Sequence, residues 1–409
     1  MSLKDQKLVI KLEEVYQKIK VFRIEGKSHE AMDLYNSINK DHPMYNEYIW
    51  QLAYEYSVFG YYIGVRNINE QVVTILNKCN DSTIITSVLS NMKFYPNILK
   101  SEKIYDFTFT LKHKINNIEY KFNSSSSCII PYNGGYLLNV RLVNYIIDSE
   151  GSYINCDKHI ISLYKSIILS KDFVKLDETL IDIDYVDRRY IGIEDVRIFK
   201  NECEQDKILF TGTGYHNNDT VGVVCGEYNE VNYIYGKPIN SIEIKPAFNP
   251  NSACEKNWTY VKYKGETHMI YNWFPLKICQ VNKSTSKLDL VEERVMPAIF
   301  KNARGSSCGY NYKDSIGNDE VWFVVHLVSY EKPLYYYHML AVFDLNMNLL
   351  RYSAPFKFEG DCIEYCIGLV VEEERVIIPY STMDRTCKVA IYSKKYIEIE
   401  TIAYHFPNM

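Results

Sequence analysis

The chain is 409 residues long, 47% apolar and 24% charged, with a formal net charge of −5. That balance describes a globular protein with a sizeable core, and neither the mildly acidic charge nor the scattered basic residues offer a counter-charge to nucleic acid or an anionic membrane. The most apolar run, residues 321–329, is interrupted by His326 and falls far short of the ~20 residues that span a bilayer.

The length predicts two or three domains unless one large β architecture absorbs it. Residues 1–14 carry too many charges for the apolar segment of a secretory signal. The eleven cysteines are an odd number, dispersed, with no Cys-x-x-Cys pair. Reduced thiols in a cytoplasmic setting are expected rather than a disulfide frame or a zinc site. The 37 tyrosines accompany abundant Lys, Asn and Ile, the composition of AT-rich codons, which discounts clusters such as Tyr335-Tyr336-Tyr337 as a binding platform.

In chain order, the first hundred residues read as helices. Leu8, Leu12, Val15, Ile19 and Phe22 recur at helical spacing. A second helix is expected over 29–39, with Ser28 as its N-cap, and a third after Pro43, carrying Tyr45, Tyr48, Ile49, Leu52, Tyr56 and Phe59. Two more fit 69–78 and 83–92. The array resembles tetratricopeptide repeats. It is expected to form a domain over 1–100, either a cap packed on the adjoining domain, the favoured reading, or a docking module for a protein partner.

From about Ile104 the period changes to two. Segments such as 135–143, 207–213, 321–328 and 375–380 are rich in Val, Ile, Phe, Tyr and Thr and are separated by turn residues. Three hundred residues of short strands predict a large all-β domain over 101–409, a sandwich pair or a propeller.

Within that region charged residues stand where strands should be apolar. In Gly192-Ile193-Glu194-Asp195-Val196-Arg197-Ile198-Phe199, strand alternation predicts Asp195 and Arg197 on one face and Glu194 on the other with Val196 and Ile198. A structural ion pair is the plain alternative. Arg141, Asp195, Lys256-Asn257, Arg304 and Glu364 follow one another at separations of 54, 61, 48 and 60 residues. A four-stranded blade takes roughly 60 residues, so the spacing suits one inward-facing group per blade of a five-bladed β-propeller. Singly, Arg141 reads equally as a buried ion-pair partner, Lys256 as a solvated loop residue and His326 as a core histidine.

Glu194-Asp195-Val196-Arg197 resembles the Glu-Asp-Pro-Arg motif of the β-mannoside phosphorylases of glycoside hydrolase family 130 and the related β-mannosyltransferases of glycosyltransferase family 108, with Val196 in place of Pro. Phe122-Asn123-Ser124-Ser125 resembles the opening Asn-Pro-Ser/Ala turn of those enzymes, and the strand ending at Arg141 their substrate-binding arginine. Glu255-Lys256-Asn257-Trp258 is similar to the Asn-x-Lys region with its order changed. Val324-Val325-His326 is similar to the Tyr-His-Gly strand, and Tyr380 to Asp384 to the closing Tyr-Gly-x-x-Asp.

The resemblance implies a five-bladed propeller after the helical module, Asp195 as the catalytic acid, and sugar or phosphate contacts from Asn123, Arg141, Glu194, Arg197, Lys256, Asn257, His326, Tyr380 and Asp384; the spacing of charged residues adds Arg304 and Glu364 as candidate substrate contacts. The chemistry suits the residue types. Inverting glycosyl transfer needs an acid at the leaving oxygen and a nucleophile on the opposite face of the sugar. Cations that hold phosphate or a sugar phosphate can replace the second carboxylate of a hydrolase. The carbohydrate partner is thus expected with phosphate as co-substrate and no bound cofactor or metal; Asp182-Ile183-Asp184 is discounted as a metal motif. An inverting hydrolase and a non-catalytic propeller that binds glycans or protein partners are the alternatives.

Overall fold

A computed structural model of the chain describes residues 3–156, 158–181, 187–203, 207–216, 220–228, 239–250, 255–313, 317, 319–401 and 404–406. The Asp182 to Asp184 motif lies outside them. The chain divides into two compact units, Met1–Asn97 with Pro297–Ile299, and Ile98–Met296 with Phe300–Met409.

The first unit is helical: Leu3–Ile24, Ser28–Asn36, Tyr45–Tyr62, Asn69–Lys78 and Ser82–Asn91. Spacing by three and four residues brings Ile19, Ala31, Leu52 and Phe59 into one fully buried cluster, bordered by Val15, Tyr16, Tyr35 and Tyr56. Arg23 pairs with the buried Glu55 across this core. Ser28, expected as a cap, is instead the first helical residue, and the cap position falls on Lys27, which offers no side-chain acceptor. Asp81 does cap the fifth helix, taking the N–H groups of Thr83 and Ile84 at 2.8 and 3.3 Å.

The second unit is mainly β. Its first sheet is an antiparallel succession of Thr110–Ile115, Ile118–Tyr132, Gly135–Val143, Ile160–Leu169 and Lys175–Ile181, with Tyr190–Ile191 added in parallel. Glu194–Asn201, Lys207–Tyr215, Val221–Glu227 and Ile239–Pro246 form the second, and Thr259–Tyr263, Glu266–Trp273, Leu276–Asn282 and Lys287–Arg294 the third. A short parallel pairing of Lys245 and Pro246 with Lys287 and Leu288 joins these two.

The fourth sheet is built on Asp319–Ser329, flanked on one side by Arg304–Gly305 and Tyr310–Lys313 and on the other by Tyr335–Asp344, Leu349–Tyr352 and Tyr404–His405. The fifth holds Glu364–Tyr365, Val370–Val371, Arg375–Thr382 and Lys388–Ser393, and its edge strand is Lys103–Asp106 from the start of the unit.

Gly135–Val143 is buried along its whole length because it has packed neighbours on both faces. Ile129, Leu138 and Val140 pack with Ile377 and Val389 of the fifth sheet, whereas Ile130 and Leu137 pack with Val196, Ile198 and Phe210 of the second. The second packs likewise on the third through Phe199, Val223, Tyr260 and Met269. Trp273 meets Phe323 edge-on at 5.2 Å between the third and fourth, and Val324 and Leu340 meet Ile378 and Ala390 between the fourth and fifth. One cavity is lined by Glu194 and Asp195 at the start of the second sheet, Lys256 and Asn257 just before the third and Arg304 at the start of the fourth, with Arg141 from near the end of Gly135–Val143, His326 from late in Asp319–Ser329 and Asp384 just after Arg375–Thr382.

Candidate active site

The cavity has a volume of about 430 Å³. Its wall contains eight residues singled out from the sequence: Arg141, Glu194, Asp195, Lys256, Asn257, Arg304, His326 and Asp384.

Glu194 and Asp195 both face it, contrary to strict alternation. The pairing of Glu194–Asn201 with its neighbour steps from Glu194↔Thr213 to Arg197↔Thr211, so one extra residue bulges out. Asp195 sits in that bulge at φ 51°, a left-handed conformation that aspartate tolerates better than most side chains. Side chains from the first sheet hold the displaced backbone. The Tyr164 hydroxyl accepts from Val196 N at 3.0 Å and donates to Ile193 O at 2.9 Å, and Asn139 donates to Val196 O at 3.3 Å. Across the bulge lies Gly212, where a Cβ would fall 2.5 Å from Ile193 Cγ2 and 2.9 Å from Glu194 O.

Arg141 is the cation of this pair. Its Nη1 donates to Asp195 Oδ1 at 2.9 Å, its Nη2 lies 3.5 Å from Glu194 Oε1, and its Nε donates to Ser162 Oγ at 3.0 Å. Ser126 adds a bond to Asp195 Oδ1 at 3.3 Å. Burial in the cavity pushes the Glu194 carboxyl above its usual range, with Arg141 opposing the shift and the Asp195 charge adding to it. Asp384, also left-handed at φ 49°, accepts from Ser125 at 2.9 Å and from Tyr145 at 2.7 Å. The buried run Ser124 to Ser127 thus sends one hydroxyl to each aspartate.

On the other side, Asn257 at φ 64° accepts from Arg197 and from the Tyr365 hydroxyl, each at 3.1 Å, which leaves its Nδ2 hydrogens to the cavity. His326 bonds Ser306 Oγ through Nδ1 at 2.9 Å, leaving Nε2 available. Burial drives its pKa well below the ordinary value, helped by His338 and the charges of Arg197, Arg304 and Lys256, so the ring is neutral. Lys256 and Arg304 are exposed at the mouth, with no carboxylate at ion-pair distance among the described residues.

Four residues singled out from the sequence do not line the cavity. Arg197 is 1% exposed and lies behind it, its Nε on Ser306 O at 2.6 Å, its Nη1 on Asp195 O at 2.9 Å and its Nη2 shared among Asn257, Gly305 O and Tyr365. The bulge turned it away from the Asp195 carboxylate, and its bonds fix the parts that do face the cavity. Glu364 is fully buried and accepts four backbone N–H groups from Phe358, Glu359, Gly360 and Asp361, folding that loop around itself. Tyr380 stacks on Phe358 and donates to Glu359. Asn123, inside a strand, donates to Tyr145 O at 3.4 Å.

The sequence reading missed Tyr145, Tyr153, Arg189, Tyr190, Tyr336 and Tyr365, all in the wall. Composition had masked the tyrosines. Position was the available signal, because Arg189-Tyr190 directly precedes the Glu194 stretch and Tyr365 follows Glu364. Of the discounted tyrosine triplet, Tyr336 lines the cavity and Tyr337 is in the core.

No family model and no curated protein matches the chain. Solved structures similar to it include a candidate glycoside hydrolase of Parabacteroides distasonis, at 12% identity and TM-score 0.50, with 73% of this chain and 96% of that one covered. The β-1,2-mannobiose phosphorylase of Listeria innocua, in complex with β-1,2-mannobiose, is similar at 13% identity and TM-score 0.46 over 71% of this chain and 98% of that one. A mannose phosphorylase of Leishmania mexicana, in complex with a phosphate ion, is similar at 10% identity and TM-score 0.46 over 80% and 98%. At such identities the first of these likenesses is one of fold.

Proposed function

We propose that the chain is a carbohydrate-active enzyme that makes or cleaves a β-mannoside, or a similar β-linked sugar, with inversion, and that its five sheets are the blades of a β-propeller. The packing of each sheet on the next and of the fifth on the first supports the propeller. The observation that carries the chemistry is the bulge that turns Glu194 and Asp195 into one cavity with Arg141, opposite Lys256 and Arg304.

In this reading Asp195 is the general acid and base. It gives a proton to the glycosidic oxygen as the bond from C1 breaks and takes it back in the synthetic direction. Glu194 faces the same space, and burial raises its own pKa. Arg141 orients both carboxylates. The nucleophile at C1 is an oxygen of phosphate, or of a sugar hydroxyl when mannosyl phosphate is the donor. Lys256 and Arg304 balance the anion, while neutral His326 and Asn257 Nδ2 supply directed hydrogen bonds. Tyr145, Tyr336 and Tyr365 line the pocket around the sugar, with the Tyr145 and Tyr365 hydroxyls committed to Asp384 and Asn257.

Transfer from a mannosyl phosphate is favoured over hydrolysis because the mouth carries cations with no carboxylate at ion-pair distance among the described residues, where a hydrolase needs a second base. The test follows mannose 1-phosphate formed from a β-mannoside and inorganic phosphate, and the reverse reaction. Asp195→Asn should lower either rate by about 10²-fold or more and leave mannoside affinity nearly unchanged. Turnover by that variant at the unmodified rate would place the acid elsewhere.

A further inference from the structure

In an inverting displacement the entering and leaving oxygens lie on opposite faces of the reacting carbon. With phosphate at Lys256 and Arg304, the leaving sugar starts beside Asp195 and extends away from those cations. The wall on that flank is Arg189 and Tyr190, a segment laid against the first sheet. Tyr190 and Ile191 pair in parallel with Ile160 and Ile161, Ile160 N donates to Arg189 O at 2.8 Å, and His159 Nδ1 bonds Arg188 O at 2.9 Å. Carried on this backbone, the Tyr190 side chain is 39% exposed, and its ring lies 6.1 Å from that of Tyr215, the last residue of the strand Lys207–Tyr215. Arg188 lies over the Tyr215 ring at 5.1 Å and braces it. Between the first and fourth sheets the cavity is walled instead by the hairpin of Ile146–Ile147 and Tyr153–Ile154, which brings Gly151 against Pro333: a Cβ on Gly151 would fall 3.1 Å from Pro333 Cβ. A saccharide leaving Asp195 therefore runs over Tyr190 toward Tyr215.

We propose that Tyr190 and Tyr215 are successive platforms for the sugars on the acceptor side, and that the glycan is a β-linked oligosaccharide with at least two sugars beyond the reacting mannosyl unit. The assignment rests on the proposed glycosyl transfer and names the length of its acceptor. A tyrosine ring packs its apolar face on the C–H groups of a pyranose while its hydroxyl stays in water. The 6.1 Å between the two ring centroids is close to the repeat of neighbouring pyranose rings in a glycan. Both rings stand at strand positions, Tyr190 in Tyr190–Ile191 and Tyr215 at the end of Lys207–Tyr215, so the platform is set before the saccharide arrives and little freedom is lost on binding.

The test is calorimetry on the full chain in phosphate-free buffer, with β-1,2- and β-1,4-linked mannobiose and mannotriose as probes. In one of the two linkage series the triose should bind about tenfold tighter than the biose, a difference of about 1.4 kcal/mol, because only its third sugar reaches Tyr215. Tyr215→Ala should bring that ratio close to one, and Tyr215→Phe, which keeps the ring, should preserve it. Tyr190→Ala should weaken biose and triose together. Equal affinity for biose and triose in both series, no measurable binding of either, a gain that survives Tyr215→Ala, or affinities untouched by Tyr190→Ala overturns the proposal. The two readings fail separately: turnover of a mannobiose with no gain from a third sugar removes the platforms alone, and a gain that depends on Tyr215 without turnover of any mannoside removes the catalytic reading alone.

Discussion

At the scale of single residues, the proposed reaction turns on the carboxylates that Arg141 holds. Burial raises Glu194 while the guanidinium of Arg141 restrains it, so removing that cation must raise Glu194 further. Arg141→Met is therefore expected to move the alkaline limb of the pH–rate profile upward and to weaken sugar or phosphate binding, both measurable from kcat and KM across pH. An alkaline limb that stays in place would show that Glu194 does not titrate in the cycle. Asp195, Asn257 and Asp384 share left-handed backbone, the conformation in which a short polar side chain is carried out of the strand plane and into a hollow. Alternation could not reveal this. The sequence singled out Asp195, which the structure places in the cavity wall, but put Arg197 on the same open face, because a bulge has no signature in a run such as Ile-Glu-Asp-Val-Arg-Ile.

Whole elements explain the other misplacements. Glu364 stood out as a charge inside an apolar segment, and that oddity is real, but its use is structural: one carboxylate organises the loop Phe358 to Asp361. Glu364→Ala should leave four N–H groups without their acceptor and lower stability by about 3 kcal/mol or more. Glu364→Gln keeps one oxygen where three of the four bonds converge and should cost less, a ranking that denaturant midpoints can check. The bulge depends likewise on its neighbour. Gly212→Ala forces a Cβ against Ile193 and Glu194 O, so it should lower both the melting temperature and the activity, by about 1–3 kcal/mol in stability; a variant as stable and active as the parent would mean the bulge is not pinned from that side. Strands and helices themselves were legible, since periods of two and of three to four residues record burial directly. The pairing of edges was not, because register and added strands depend on contacts between distant segments.

Across the whole molecule, acid stability should reflect buried imidazoles. His338 is fully buried beside Phe356 and Phe358, with no hydrogen-bond partner for either ring nitrogen among the described residues, and burial, with Lys357 adding to it, pushes its pKa down to about 3. Its folded-state pKa lies below the unfolded value near 6.5, so the stability is fully present above that pH and is lost as pH falls toward 3. At pH 5 the loss from this ring is about 2 kcal/mol. His338→Phe should flatten the fall in unfolding free energy between pH 7 and 5 by a comparable amount, and an unchanged slope would assign the acid sensitivity to other groups. The edge strand Lys103–Asp106 bears on how the chain is made, since its partners, Ile391 back to Lys388, lie near the other end of the unit. During synthesis at about 5–20 residues per second, this strand leaves the ribosome some 15–60 s before they do. For that interval the fifth sheet is represented by a single edge with nothing to pair with, so its assembly is among the last events of translation, and a stalled ribosome would leave the domain unsealed.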